Sequence, residues 1–228
     1  MRRAVLVCAT VVAAVVGCPV ALAAPQCGGF GATLDTGQTC HLHTAAAGYT
    51  VDMRFPADYP DPQPLFGYLA AQRDQFLDYV QSVAAPDRAA PYELSVSSKV
   101  YRSGPTETGT DSVVLWVGQD VGVHPVTSVR TFTFDLGTRR PVTFDTLFRP
   151  GSAPLDVIYP AVRRELQKAW GAETLAPLRD GLDPATYQNF AITDQAVVFY
   201  FDQDQLLGQN EGPLQVVVPR EELASLLA

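Results

Sequence analysis

Residues 187–220 read YQNFAITDQAVVFYFDQDQLLGQNEGPLQVVVPR, and no other stretch narrows the possible folds as far. Ala196 to Phe201 is continuously apolar and rich in β-branched and aromatic side chains, the pattern of a strand buried on both faces. Ahead of it Phe190 and Ile192 alternate with Ala191 and Thr193, and the polar pair Asp194-Gln195 breaks the run. Leu214 to Val218 is a further strand, stopped by Pro219, which has no amide hydrogen for a ladder. The stretch therefore predicts a hairpin plus a third strand as the sheet core of one domain.

The rest of the chain supplies pieces to cover such a sheet. Cys40–Thr44 and Tyr49–Phe55 read as two short strands. The prolines between Pro56 and Pro64 forbid regular pairing and deliver Pro64 to the first turn of a helix over Leu65–Ala84, where proline is tolerated. Phe66, Leu69, Phe76, Leu77, Val80 and Val83 form its apolar stripe, and Pro86 ends it. Tyr92–Ser103, Val113–Val117, Thr127–Asp135 and Pro141–Phe144 read as an antiparallel meander, with Phe132 and Phe134 on one face and Val129, Thr131 and Thr133 on the other. A second helix is expected over Ser152–Trp170, with Pro160 inside its pattern and Gly171 as its stop. Residues 177–186 read as a loop, and Leu223, Leu226 and Leu227 as a short terminal helix turn. The expected class is α+β: a mainly antiparallel sheet with two main helices packed against it, as a single domain over residues 24–228.

Residues 1–23 are expected to be a secretory signal peptide. Arg2 and Arg3 make a basic start, Ala4–Val16 is apolar, and Ala21-Leu22-Ala23 gives the small residues a signal peptidase needs. Val15-Val16-Gly17-Cys18 also resembles a bacterial lipobox, which would cleave earlier and lipidate Cys18; the Ala-Leu-Ala site close behind favours release. No later segment is long and apolar enough for a transmembrane helix. The formal net charge of −8 becomes more acidic once the two arginines leave, which argues against nucleic acid or an anionic membrane surface as partner. Of four cysteines, Cys27 and Cys40 survive cleavage, and export predicts that they pair. One cysteine pair offers too few ligands for a structural zinc site.

The mature chain also resembles a known family. The pieces are Asp35-Thr36-Gly37-Gln38 before Cys40, Tyr59-Pro60-Asp61, Pro91-Tyr92-Glu93-Leu94, His124-Pro125 and Thr143-Phe144-Asp145-Thr146-Leu147. They continue with Gly181-Leu182-Asp183-Pro184, Tyr187 to Ala191, Gly212-Pro213 and Val218-Pro219-Arg220. In order and spacing they are similar to the mycobacterial secreted immunogenic proteins, which share a C-terminal module with lysozyme-sensing anti-sigma-factor ectodomains. The resemblance implies a β-grasp-like α+β fold, export, and a role as a secreted or envelope-associated antigen. It carries no agreed catalytic residues, although ester-hydrolase activity has been assigned to similar cell-wall members. Val123, where relatives carry a small residue, and Gly208, where a proline is usual, depart from the pattern.

Several side chains suggest chemistry and are weighed against plainer roles. His41 and His43, two apart on a strand, share a face, and Asp52 is a third ligand across the hairpin if a metal binds. They are read instead as surface or half-buried histidines, so no metal or cofactor is expected. His124 is the base expected if the protein hydrolyses esters, although a loop-bonding role is favoured. No G-x-S-x-G nucleophile elbow exists, and the sequence does not choose among Ser95, Ser97, Ser112, Ser128 and Ser152. Asp202 and Asp204 suggest calcium, but Leu206-Leu207 stand where a ligand and the obligatory glycine belong, so they are read as acids that keep a strand end soluble. Gly28-Gly29-Phe30-Gly31 neither follows a strand nor opens a helix, which removes a phosphate loop.

The expectation is a non-catalytic secreted module, monomeric, that recognises a protein or envelope ligand. A carboxylesterase of the cell wall acting on short-chain esters is the alternative, and a purely structural envelope protein a third.

Overall fold

The computed structural model describes residues 27–35, 37–83, 90–122, 124–171, 181–206 and 212–228. The expected signal peptide with Cys18, the stop at Pro86, the departures at Val123 and Gly208, Leu207 and residues 177–180 of the expected loop at 177–186 lie outside them.

The chain opens with two short pieces tied together. Cys27 and Cys40 form the expected disulfide, their Cα atoms 5.3 Å apart. β1 (Thr33–Leu34) pairs antiparallel with β2 (Thr39–Ala46), which pairs antiparallel with β3 (Tyr49–Pro56). Side chains alternate across these strands. Cys40, Leu42, Val51, Met53 and Phe55 are buried on one face, and His41, His43, Asp52 and Arg54 occupy the other.

α1 (Pro62–Ser82) starts with Pro62 and Pro64 in its first turn, where the missing N–H costs nothing. Its fully buried residues are Leu65, Leu69 and Phe76. Phe66, Leu77, Val80 and Val83 are partly buried at the edge of the same contact, so the centre of the stripe lies one residue from the expected one. The helix carries the chain over to β4 (Tyr92–Ser103), which pairs parallel with β3, the arrangement that demands a crossover. β5 (Thr110–Asp120), β6 (Val126–Asp135) and β7 (Arg140–Pro141) follow as an antiparallel meander, but the return strand expected over Pro141–Phe144 shrinks to the two residues of β7, because Thr143 caps a helix that Phe144 opens. The seven strands lie in chain order, β1 to β7.

The stretch at 187–220 is a sheet of its own. β8 (Phe190–Ile192), β9 (Ala196–Phe201) and β10 (Leu214–Pro219) pair antiparallel in the order β10-β9-β8. Two sheets thus replace the single sheet expected. Their stacking explains why β9 is buried at every position. Val198 and Tyr200 face Val114, Val129 and Trp116 of the larger sheet, while Val197, Phe199 and Phe201 face the helix behind.

That helix is α3 (Leu155–Trp170), preceded by the short α2 (Phe144–Leu147). α2 begins with a capping box, in which Thr143 and Thr146 each satisfy the other's backbone. α3 starts at Leu155 rather than Ser152 because the hydroxyl and N–H of Ser152 both bond the Arg149 carbonyl in the turn before it. Pro160 lies inside α3, whose buried face carries Ile158, Ala161, Val162 and Leu166. α4 (Arg220–Leu223) closes the chain against β10. The layers run α1, large sheet, small sheet, α3, with one apolar cluster in each gap. Among the described residues no helix is long and apolar enough to cross a membrane.

The small sheet also closes the free edge of β6. The N–H groups of Thr127, Val129 and Thr131 donate to Gln203 Oε1, Asp202 Oδ1 and Asn189 Oδ1 at 2.9, 2.6 and 3.1 Å. Asp202 therefore does more than solubilise a strand end: it supplies an acceptor to an edge that would otherwise show bare donors.

Candidate functional site

Three separate chain segments meet beside the two sheets. β4 ends at Ser103, and the turn that follows needs Gly104 at φ 75°, in the left-handed region. The β8–β9 connection, Thr193 to Gln195, is held by Thr193 Oγ1, which donates to the Ala196 carbonyl and accepts from its N–H. Pro219 ends β10 and turns the chain so that Arg220 points back at both.

Ser103 is 5% exposed, and its hydroxyl donates to Asp194 Oδ1 at 3.1 Å. The Gly104 N–H donates to the same oxygen at 2.7 Å. Arg220 Nη1 donates to Ser103 Oγ at 3.2 Å and to the Thr193 carbonyl at 3.4 Å. The Gly104 N–H and then the Ser103 hydroxyl hold the Asp194 carboxyl below its usual range, with partial desolvation opposing and the Arg220 charge assisting. Among the described residues no carboxylate forms an ion pair with Arg220, so its half-buried charge is answered mainly by neutral oxygens.

Cavities surround this junction. One of about 510 Å³ is lined by Ser103, Thr110, Ile192, Val197 and Arg220. Another, of about 410 Å³, lies across the Gly104 turn against Asp58, Arg102 and Asp111. A third, about 710 Å³, runs past Asp194, Val198 and Arg220. Thr110 Oγ1 borders the first two, is shielded from solvent and has no hydrogen-bond partner. Burial pushes the Asp111 carboxyl up, against the pull of Arg102, whose Nε is 3.6 Å away. The junction thus offers a fixed guanidinium, a hydroxyl and a carboxylate beside cavities of mixed polar and apolar lining.

The residues singled out in the sequence go elsewhere. His124 is exposed in the β5–β6 connection, and among the described residues no hydrogen bond joins it to a serine. Ser112 is fully buried and accepts from the Ile192 N–H and the Thr133 hydroxyl. Ser95 reaches the Gly118 carbonyl at 3.5 Å, and Ser152 the Arg149 carbonyl at 2.7 Å. Ser128 lies half-buried beside Tyr68, and Ser97 is exposed. His41, His43 and Asp52 do come together: His41 Nε2 and His43 Nδ1 lie 2.9 and 3.0 Å from Asp52 Oδ2. Ser103, Asp194 and Arg220 escape a reading of the sequence because Ser103 is 91 residues from Asp194 and 117 from Arg220. The only local signal is the arginine set directly after a strand-ending proline.

Known proteins resemble this chain over most of its length. Residues 145–221, which include Asp194 and Arg220, match the family described as "Protein of unknown function (DUF3298)". Esterase Rv3036c of Mycobacterium tuberculosis is 44% identical over 227 residues, 99% of each chain. Immunogenic protein MPB64 of Mycobacterium bovis and immunogenic protein MPT64 of M. tuberculosis are each 41% identical over 195 residues, 85% of each chain. A DUF3298 family protein from Pseudomonas aeruginosa superposes with a TM-score of 0.55 at 15% identity, covering 83% of this chain and 94% of that one. One from Bacteroides fragilis gives 0.50 at 13%, covering 83% and 92%. The last two share the fold; the mycobacterial matches show that this chain belongs to the mycobacterial immunogenic protein family, with a DUF3298 region at its C-terminal end.

Proposed function

We propose that the protein is an exported, envelope-facing binding module whose ligand enters the cleft at Ser103, Asp194 and Arg220. The observation that carries this reading is the half-buried Arg220 guanidinium, fixed by two neutral oxygens on the wall of a cavity that Leu147, Ile192 and Val197 also line, in a chain of net charge −8. An arginine so placed favours a carboxylate, a phosphate or an ester carbonyl with an apolar remainder. Residues 1–23 act as the signal peptide, residues 24–228 as one domain, and the hairpin β2–β3 with α1 and the parallel β4 as its β-grasp-like part. Release after Ala23 or Ala24 is the expected processing, with lipidation at Cys18 as its alternative; the mature N-terminus decides between them.

The esterase reading is supported by a different observation, the name of a relative 44% identical over 99% of both chains. His124 is the base first expected for it, but among the described residues no hydrogen bond joins His124 to a serine, which favours a serine with another partner beside it. Ser103 is the serine bonded to a carboxylate in a cavity, with Asp194 as the acceptor of its proton. The test is hydrolysis of short-chain nitrophenyl esters by the purified mature chain, beside folded Ser103→Ala, Asp194→Asn and His124→Ala variants. Turnover abolished by Ser103→Ala or His124→Ala makes the protein an esterase. Absence of turnover, or turnover indifferent to all three, leaves binding as its function, and Arg220→Ala then weakens capture of short-chain fatty acids measured by calorimetry.

A further inference from the structure

We propose that His41, His43 and Asp52 form a binding site for a divalent transition-metal ion of the zinc and copper class, independent of the inter-sheet cleft. β2 and β3 pair so that His43 stands directly opposite Asp52, and His41 opposite Arg54. Period-two alternation puts the four side chains on one face. Two imidazole nitrogens approach a single carboxylate oxygen, at 2.9 and 3.0 Å, and the three ligand atoms all lie within 4.8 Å of one another. A tetrahedral ion with bonds of about 2.0–2.1 Å holds its ligands roughly 3.3 Å apart. Two of the three separations are already near that value, and side-chain rotation closes the third.

The donor set selects the ion. Two imidazoles and one carboxylate suit zinc or copper and are poor for calcium or magnesium, which take oxygen. Three protein ligands leave a coordination position for water, and the site is open to it. His41 and Asp52 are partly exposed and His43 more so, and no residue of β2 or β3 enters the cluster between the two sheets. The opposite sides of both strands are anchored by the buried Leu42, Val51 and Met53, so the ligands stand on rigid backbone. Arg54 opposes the ion: its Nε lies 3.7 Å from Asp52 Oδ1, the oxygen that faces away from the histidines.

The experiment uses tag-free mature protein, stripped with a chelator and titrated with zinc chloride by calorimetry, then with copper(II) followed by electron paramagnetic resonance. The expected result is one saturable equivalent of zinc, a raised Tm in its presence, and a copper spectrum with hyperfine splitting from two nitrogens. His41→Ala, His43→Ala and Asp52→Asn each weaken binding at least tenfold, Arg54→Ala strengthens it, and His124→Ala, which removes the third histidine of the chain, leaves it unchanged. No saturable zinc binding, a copper spectrum without nitrogen splitting, or equal affinity in the three ligand variants overturns the proposal. The copper spectrum of the unmutated protein stands as evidence even where a variant does not fold.

Discussion

The Asp194 carboxylate accepts the Gly104 N–H at 2.7 Å, joining positions 90 residues apart in the chain. Gly104 opens the turn at the end of β4 in the large sheet, and Asp194 sits between β8 and β9 in the small one. The contact therefore holds the two sheets at one end, where apolar stacking alone would leave their edges free to part. It also fixes Ser103 and, through it, Arg220.

The charge state of Asp194 makes this tie sensitive to acid. Its pKa is lowered on folding, so the folded state binds its proton less readily than the unfolded chain. The stabilisation is complete above the ordinary value of 3.8 and is lost as pH falls through the lowered folded-state value. Urea unfolding of the wild type and Asp194→Asn across pH 7 to 2 is expected to show a gap that narrows as the solution is acidified. A gap constant over that range rules out a role for the carboxylate charge.

The Gly104 turn constrains a second glycine for a steric reason. A Cβ on Gly109 would run into the Ser103 carbonyl oxygen and stand 2.7 Å from that of Pro105. Both obstacles are backbone. Gly109→Ala is expected to cost about 2 kcal/mol, as overpacking does, and to disturb the cavities on both sides of the turn. Gly122→Ala, where a Cβ meets nothing within 4 Å, serves as the control and changes stability by about 0.5 kcal/mol or less. Chemical denaturation of the two variants checks both.

Local pattern announced most of the fold. Continuous burial of β9, the alternation along β6 and the stripes of α1 and α3 are each written in adjacent residues, as is the proline-marked entry to α1. The division into two sheets was not legible, because a run buried on both faces reads alike whether helices or another sheet cover it. Asp202 hides its second role for a related reason: polar at a strand end, it gives no hint that Val129, 73 residues away, needs its oxygen. Among the possible sites, the histidine cluster was visible because its members lie within one hairpin, whereas Ser103, Asp194 and Arg220 meet only after the sheets stack.

The disulfide closes a loop of 13 residues in sequence separation. The loop carries Phe30, whose ring meets Phe55 and Phe66 edge-on while the Arg73 guanidinium lies 4.9 Å from its centre. Replacing both cysteines by serine is expected to cost about 3 kcal/mol through the freed unfolded chain alone. The loss increases further because Cys27 and Cys40, both buried, each receive a hydroxyl in an apolar setting. Comparison of urea midpoints for the oxidised wild type and the double variant tests this. Equal midpoints would mean that the packing of Phe30 against Phe55 and Phe66 holds the segment without the covalent link.

Tyr187 gives a prediction at the alkaline end. It is fully buried, packs edge-on to Phe199 and Phe201, and donates its hydroxyl to the Gly181 carbonyl at 2.8 Å. Burial, with a smaller contribution from Tyr159, pushes its pKa up to about 12. An acid raised on folding keeps its full stabilisation below the unfolded pKa, and loses it as pH climbs toward the folded value. Stability is therefore expected to fall above pH ~10, the ordinary tyrosine value, and the fall should be shallower in Tyr187→Phe. At neutral pH the same variant is expected to lose about 1 kcal/mol, because the Gly181 carbonyl is left without its buried donor. Thermal unfolding at pH 7 and pH 10.5 separates the two effects: a hydroxyl that only fills space would leave the neutral Tm unchanged and the alkaline slopes identical.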